Sequence, residues 1–221
     1  MSRIIFDIET VGKDFEQLDE ATQDYLLKYA ESEDERQAVR DSLSFYPLTG
    51  EIVAIGMLNP DTMKGAVYFQ ASGDLMLPFE EEGIRYESGS EKDIIVKFWG
   101  SVKGYEEFVT FNGRAFDCPF ILIRSAIHKV KPTRDLMPNR YKDQHIDLLD
   151  RLTFFGASRR KFSLDMWCRT FGIKSPKTDI TGYEVKDVFK AGRYADIARY
   201  CAGDLRATKE LLDCWENYIK A

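Results

Sequence analysis

Histidine is nearly missing from this chain. Only two of 221 residues, His128 and His145, are histidines, so chemistry built on an imidazole base or clustered imidazole ligands has little material. Cysteine is sparse as well. Cys118, Cys168, Cys201 and Cys214 show no Cys-x-x-Cys spacing, which argues against a zinc site and requires no disulfide framework. Reduced thiols of a cytoplasmic protein are the simpler expectation. No apolar run approaches the ~20 residues of a membrane-spanning helix. The start of the chain lacks the basic-then-apolar layout of a secretory signal. No internal repeat and no linker composition interrupts it, so a single domain spanning 1–221 is expected.

A hydrophobic fraction of 44% is enough to build a sizeable core in a chain of this length. The net charge of −6 does not advertise a polyanion partner, but its distribution is uneven. Residues 1–111 carry 10 basic and 23 acidic side chains, a balance of −13. Residues 112–193 carry 17 and 9, a balance of +8, and residues 194–221 carry 4 and 5, a balance of −1. Such a basic middle segment attracts a polyanion locally, or is simply a solvated surface.

The hydrophobic pattern predicts a strand over Arg3–Glu9 and strands over Glu51–Asn59 and Gly65–Gln70, the latter pair joined by Asn59-Pro60-Asp61 as a hairpin. Residues 14–44 read as one or two acidic surface helices inserted after the first strand, a solvated decoration or a contact for a partner. Residues 71–89 read as a loop. Helices are predicted over Ser90–Val102, with Ser90 as N-cap, over 117–126 and over Ser163–Phe171. Short strands are predicted at Glu107–Phe111 and His145–Leu148, and a polar loop at Lys174–Gly182. A long amphipathic helix closes the pattern at Ala195–Tyr218, its stripe made of Ile197, Cys201, Leu205, Leu211, Leu212 and Trp215. Strands interspersed with helices argue a mixed α/β sheet.

Three acidic elements stand out against this background. Asp7 and Glu9 alternate with Ile8 on the first strand, so both project from one face, with Cα atoms roughly 7 Å apart. Two acids on one face of an apolar strand repel and are costly to desolvate, and a cation between them removes the conflict. Two solvated acids at a strand end satisfy the same pattern. Asn112-Gly113-Arg114-Ala115-Phe116-Asp117 leads from a strand into a helix. Gly113 permits a tight turn, and Asp117 is either the helix cap or a ligand at the carboxyl end of the strand. Tyr200 and Asp204, four apart on the last helix, share a face beside Gly203, either as a local pair or as part of a site.

Together, Asp-x-Glu at Asp7–Glu9, Asn-Gly-x-x-Phe-Asp at Asn112–Asp117 and Tyr-x-x-x-Asp at Tyr200–Asp204 resemble the three motifs of the DEDD 3′–5′ exonucleases. The tyrosine in the third motif resembles the branch containing the proofreading domain of family B DNA polymerases. That resemblance implies a ribonuclease H-like fold, a five-stranded mixed sheet with helices on both sides. It implies that Asp7, Glu9, Asp117 and Asp204 hold two divalent ions, Mg²⁺ or Mn²⁺, and that Tyr200 positions the attacking water. The carboxylate oxygens suit those hard cations, and two ions acidify a water and stabilise the leaving oxygen without a histidine.

His128 and His145 fall outside the three motifs; His145 and Asp147 are expected to be structural at a strand, with Asp147 kept only as an outer-shell candidate. Asn112 and Phe116 are expected to touch the terminal nucleotide. Arg159-Arg160-Lys161, and Lys174 with Lys177, are expected to grip phosphates without reading sequence. Phe154, Phe155 and Phe162 flank the first cluster, as core packing or as base-stacking rings. No polymerase segment is expected after Asp204, so a proofreading role would require a separate protein partner. The expected activity is release of nucleoside monophosphates from single-stranded 3′ ends, DNA favoured. The rival readings are an exoribonuclease of the same fold and a catalytically silent nucleic-acid-binding module.

Overall fold

The computed structural model describes residues 2–71, 76–174, 182 and 184–220. In chain order the elements are β1 (Arg3–Gly12), α1 (Glu20–Leu27), α2 (Glu33–Asp41), β2 (Gly50–Leu58), β3 (Gly65–Gln70), β4 (Phe79–Glu81) and β5 (Ile84–Gly89). Then follow α3 (Glu91–Val102), β6 (Glu107–Thr110), α4 (Asp117–Ile127), β7 (His145–Asp147), α5 (Leu148–Leu152), α6 (Leu164–Phe171), α7 (Val185–Lys190) and α8 (Tyr194–Tyr218). No described helix is long and apolar enough to cross a membrane.

All described strands join one sheet in the order β4-β5-β3-β2-β1-β6-β7. Strands β1, β2 and β3 run antiparallel in sequence, while β6 and β7 lie parallel to β1 on its other side. The expectation of five strands is therefore corrected to seven among the described residues. The extra pair, β4 and β5, falls in the stretch read as a loop at 71–89, of which residues 72–75 lie outside the described residues. In β5, Ile84 and Tyr86 are buried while Arg85 is exposed. This alternation is real but only a few residues long, and acidic and glycine-containing flanks hide it. Pairing β5 in parallel with β3, from Ile84↔Gly65 to Gly89↔Gln70, is what buries it. Helices α5 and α7 are also additions to the expected elements. Most of the loop predicted at Lys174–Gly182 lies outside the described residues.

The alternation of β1 distributes its apolar residues to two cores. Ile4, Phe6 and Ile8 pack with Phe98 and Trp99 of α3 and Phe120 of α4. Ile5 and Val11 face the opposite layer, where α8 contributes Ile197, Cys201, Leu205 and Leu212. Each such fully buried large side chain contributes about 1.5–3 kcal/mol. Ser90 caps α3 as expected, in a reciprocal box with Asp93.

The 14–44 insertion is only partly the solvated decoration expected. Neither α1 nor α2 buries a residue. The 3-10 turn that follows, Ser42–Phe45, is instead docked on the sheet, with Leu43 only 1% exposed.

A candidate active site on the central strand

Asp7 and Glu9 project from β1 on the α8 face, between Ile5 and Val11. Glu9 is buried and Asp7 half-buried. The register with β2 slips at this point: Glu9 pairs with Ala54 but Thr10 with Ile52, leaving Val53 as a bulge. Bulges beside functional strands re-aim side chains.

The second acidic element comes off β6. Its parallel pairing with β1 ends at Ile5↔Val109, and the Asp117 carboxylate takes over, with Oδ1 accepting from the Ile8 amide at 3.1 Å. Asp117 is therefore not the helix cap, a position held by Phe116. The turn also works differently from the sequence expectation. Asn112, not Gly113, adopts the left-handed conformation, at φ 62°. Gly113 supplies clearance, since a Cβ there would lie 2.5 Å from Cβ of Thr110.

Asp147 holds this loop in place. Its carboxylate accepts from the amides of Asn112 and Arg114, both at 2.9 Å, and from Leu149 at 3.0 Å. It positions the loop that carries Asp117 while starting α5. His145 is structural, as expected. Its Nδ1 donates to the Leu136 carbonyl, so Nε2 accepts from the Thr110 hydroxyl at 2.8 Å. Burial lowers its pKa to about 4, and the ring stays neutral. His128 joins Arg124 on the buried carboxylate of Glu91.

The third element depends on how closely α8 approaches the sheet. Gly56, the register partner of Asp7 on β2, makes the approach possible: a Cβ there would meet Cys201 Sγ at 2.7 Å and Leu205 Cδ1 at 2.8 Å. The Tyr200 hydroxyl faces Asp204 and offsets part of the rise that burial imposes on that acid's pKa. Among the described residues, Asp204 Oδ1 is buried with no hydrogen-bond partner.

These placements leave a charge conflict. Burial, then the neighbouring carboxylates Asp117 and Asp204, push Asp7 well above the ordinary carboxylate range, and Glu9 is raised likewise. Burial raises Asp117 and Asp204 to about 7. Burial beside Asp204 and Glu9 pushes the Tyr200 hydroxyl far up, so it stays protonated and able to donate. Two buried acids, Glu9 and Asp117, two half-buried ones, Asp7 and Asp204, and one orphaned oxygen form a donor set that fits hard divalent cations.

Cys201 is the member that sequence reasoning missed. Its ligand atom and those of Asp7 and Glu9 lie within 4.8 Å of one another. Its thiol is 3.9 Å from Asp7 Oδ2, and burial raises its pKa, so it stays protonated beneath the acid. A neutral sulfur is a poor donor to Mg²⁺. In the sequence Cys201 reads only as core stripe, because its proximity to Asp7 arises from helix–sheet packing.

The expected substrate residues divide. Asn112 and Lys161 line a common cleft of about 320 Å³ with Arg114 and Arg140. Arg159 and Arg160 are exposed, and the Arg160 guanidinium lies 5.0 Å over the Phe162 ring. Phe116 packs against the α4 core beside Phe120, ring centroids 5.5 Å apart. Phe154 is 63% exposed, and Phe155 packs on Tyr141 instead of in the core. Lys174 is exposed, and Lys177 lies outside the described residues.

The central strand thus carries Asp7 and Glu9, and Asp117 from α4 and Tyr200 and Asp204 from α8 come to the same region of the mixed α/β sheet. A family model described as "Predicted 3′-5′ exonuclease related to the exonuclease domain of PolB" matches residues 76–211, more than half of the chain, and the chain belongs to that family. The matched stretch includes Asp117, Tyr200 and Asp204 but not Asp7 or Glu9. No significant match to a curated protein is found.

Proposed function

We propose that the chain is a metal-dependent 3′–5′ exonuclease of ribonuclease H-like fold, with β3-β2-β1-β6-β7 as its five-stranded heart. It releases nucleoside monophosphates from single-stranded 3′ ends, DNA favoured over RNA. The observation that carries the reading is the cluster of four mutually repelling acids around β1, with Asp204 Oδ1 buried and unpartnered among the described residues. The relation of the family to a DNA polymerase domain supports the choice of sugar.

Asp7, Glu9, Asp117 and Asp204 would hold two ions, Mg²⁺ or Mn²⁺. When bound, these supply Lewis acidity and neutralise charge on the phosphodiester. Asp117 does double duty, since Oδ1 also accepts from Ile8 and fixes the distance between α4 and β1. Tyr200, protonated throughout the working range, donates a hydrogen bond and orients water or a phosphate oxygen. Asp147 holds the Asn112 loop against the site. Lys161 and the exposed Arg159 and Arg160 attract the backbone of the strand behind the scissile bond.

The test is digestion of end-labelled single-stranded DNA and RNA of the same sequence with Mg²⁺ or Mn²⁺, resolving product length and identity. Mononucleotides released stepwise from the 3′ end, with DNA faster and Asp7→Asn inactive, are expected. A folded wild-type protein that leaves both polymers intact with both ions rules the reading out.

A further inference from the structure

The turn after α5 holds one aromatic ring out in water at the expense of backbone comfort. Phe154 and Phe155 are consecutive bulky residues in the left-handed region, at φ 49° and 57°, followed by Gly156 at φ 98°. Side chains of that size rarely adopt this conformation, and it persists only where the surroundings over-determine it. Here they do. The carbonyl of the buried Thr153 accepts from the Gly156 and Ser158 amides at 3.1 and 3.0 Å, and its hydroxyl donates to the Leu149 carbonyl at 2.6 Å. The Phe155 ring packs on Tyr141, centroids 5.0 Å apart, with the guanidinium of Arg151 at 5.1 Å and that of Arg140 at 5.9 Å. The turn so held leaves Phe154 63% exposed, and among the described residues its ring has no aromatic or cationic partner. An exposed phenylalanine alone is ordinary. A strained turn that presents one beside a basic cleft is a different matter.

The cleft of about 320 Å³ joins this turn to the acids. Asn112 and Asp147, which shape the loop ahead of Asp117, line it, and so does Arg140, which reaches over Phe155. Its lining brings together three cations, Arg114, Arg140 and Lys161, and two carboxylates, Asp147 and Asp150. Both carboxylates are engaged. Asp147 is taken up by backbone amides, and Asp150 accepts from Arg140 Nε at 2.7 Å. Lys161 is exposed and has no ion-pair partner among the described residues. Arg114 donates one nitrogen to the Pro138 carbonyl at 2.9 Å and leaves another, Nη1, buried without a partner among the described residues. Such a cleft has positive charge left over for one phosphate.

We propose that the Phe154 ring is a stacking platform for an internal base of the single strand, on the 5′ side of the scissile bond, and that the cleft of Arg114 and Lys161 holds the phosphate between platform and acids. Such stacking reads no sequence, because every base has a flat face. The assignment rests on the exonuclease reading and adds a length requirement to it: a strand that ends short of Phe154 is held by less.

Oligothymidylates carrying one 2-aminopurine, moved stepwise along the strand from the 3′ end, test it in EDTA, where no cleavage competes. That base fluoresces less when it stacks. Binding should quench it at one internal position, and Phe154→Tyr should keep the quench. Phe154→Gly should lose it and bind the strand roughly 5- to 150-fold more weakly, the range that base–aromatic stacking spans. Glycine accepts the left-handed conformation without strain, so weaker binding in that variant is not a failure to fold. Lys161→Ala should reduce the salt dependence of binding and keep the quench. No internal quench in a wild type that binds the strand, or a quench that survives in Phe154→Gly, overturns the platform and leaves the exonuclease reading intact. A salt dependence untouched by Lys161→Ala takes the phosphate out of the cleft. A wild type that neither binds the strand nor digests it with Mg²⁺ or Mn²⁺ overturns the exonuclease reading, and the platform with it.

Discussion

Asp204 is the residue whose surroundings fit its charge least. One carboxylate oxygen is buried without a partner among the described residues, and burial raises its pKa to about 7, the same value reached by Asp117. In an unfolded chain both ionise near ~4. Without metal, their contribution to stability is therefore complete below about pH 4 and is lost as pH rises through about 7. Divalent ions bind the ionised forms and offset that loss. In EDTA the melting temperature should thus fall between pH 5.5 and pH 8, and Mg²⁺ or Mn²⁺ should raise it more at pH 8. Calorimetry at the two pH values checks this, and an equal metal increment at both would contradict the assigned ligands. Tyr200 makes a second residue-scale prediction. Because its hydroxyl stays protonated, Tyr200→Phe removes a donor and no base. Single-turnover cleavage should slow by about 10²–10⁴-fold, with metal affinity retained by titration calorimetry. Wild-type rates in the variant would make Tyr200 a packing residue.

For whole elements, the sequence is most readable where periodicity runs long. The stripe of α8 is visible because Ile197, Cys201, Leu205, Leu212 and Trp215 repeat at helical spacing, and all are buried. Strand β3 is visible because a turn precedes it. Helix α7 is not, since Val185 and Val188 are only two buried positions in six residues. Asp147 can be suspected but not given its role, because its partners Asn112 and Arg114 are 35 and 33 residues away. What seats α8 is equally hidden. Gly56 belongs to no motif, and its value is the space it leaves for Cys201 and Leu205. Gly56→Ala should cost about 1–3 kcal/mol by overpacking. By lifting the helix that carries Tyr200 and Asp204, it should also cut turnover in protein that is still folded. Urea denaturation and turnover well below the melting point measure the two effects separately. Full turnover in a destabilised variant would show that the site tolerates movement of α8.

Across the whole molecule, the three acidic elements are legible as a set, although each has an ordinary reading by itself. The strand count is not, because β4 and β5 owe their burial to β3 and not to a strong pattern of their own. The charge asymmetry is also legible, and it sets the scale of substrate attraction. The excess of +8 over residues 112–193 lies in a chain of net −6, so binding should depend on local contacts that salt screens. Replacing Arg159, Arg160 and Lys161 by Ala should flatten the dependence of log affinity on log salt, by roughly 0.7 for each phosphate no longer neutralised. Fluorescence anisotropy of a labelled single strand across salt concentrations measures it. An unchanged slope would move the phosphate track to another face.

The loop ahead of Asp117 also sets a limit on how the protein ages. Asn-Gly is the dipeptide most prone to deamidation, because the following nitrogen meets little steric hindrance when it attacks the side-chain amide, and asparagine is a thermolabile residue in general. Asn112-Gly113 is that dipeptide, and succinimide formation demands a backbone geometry that the loop resists. Its amides at Asn112 and Arg114 are tied to Asp147, and the Asn112 carbonyl accepts from Ala115 and Phe116 at 3.1 Å. Loss of this restraint would open a chemical clock beside the active site. Each event would add a negative charge and, in the isoaspartyl product, an extra methylene in the main chain five residues before Asp117.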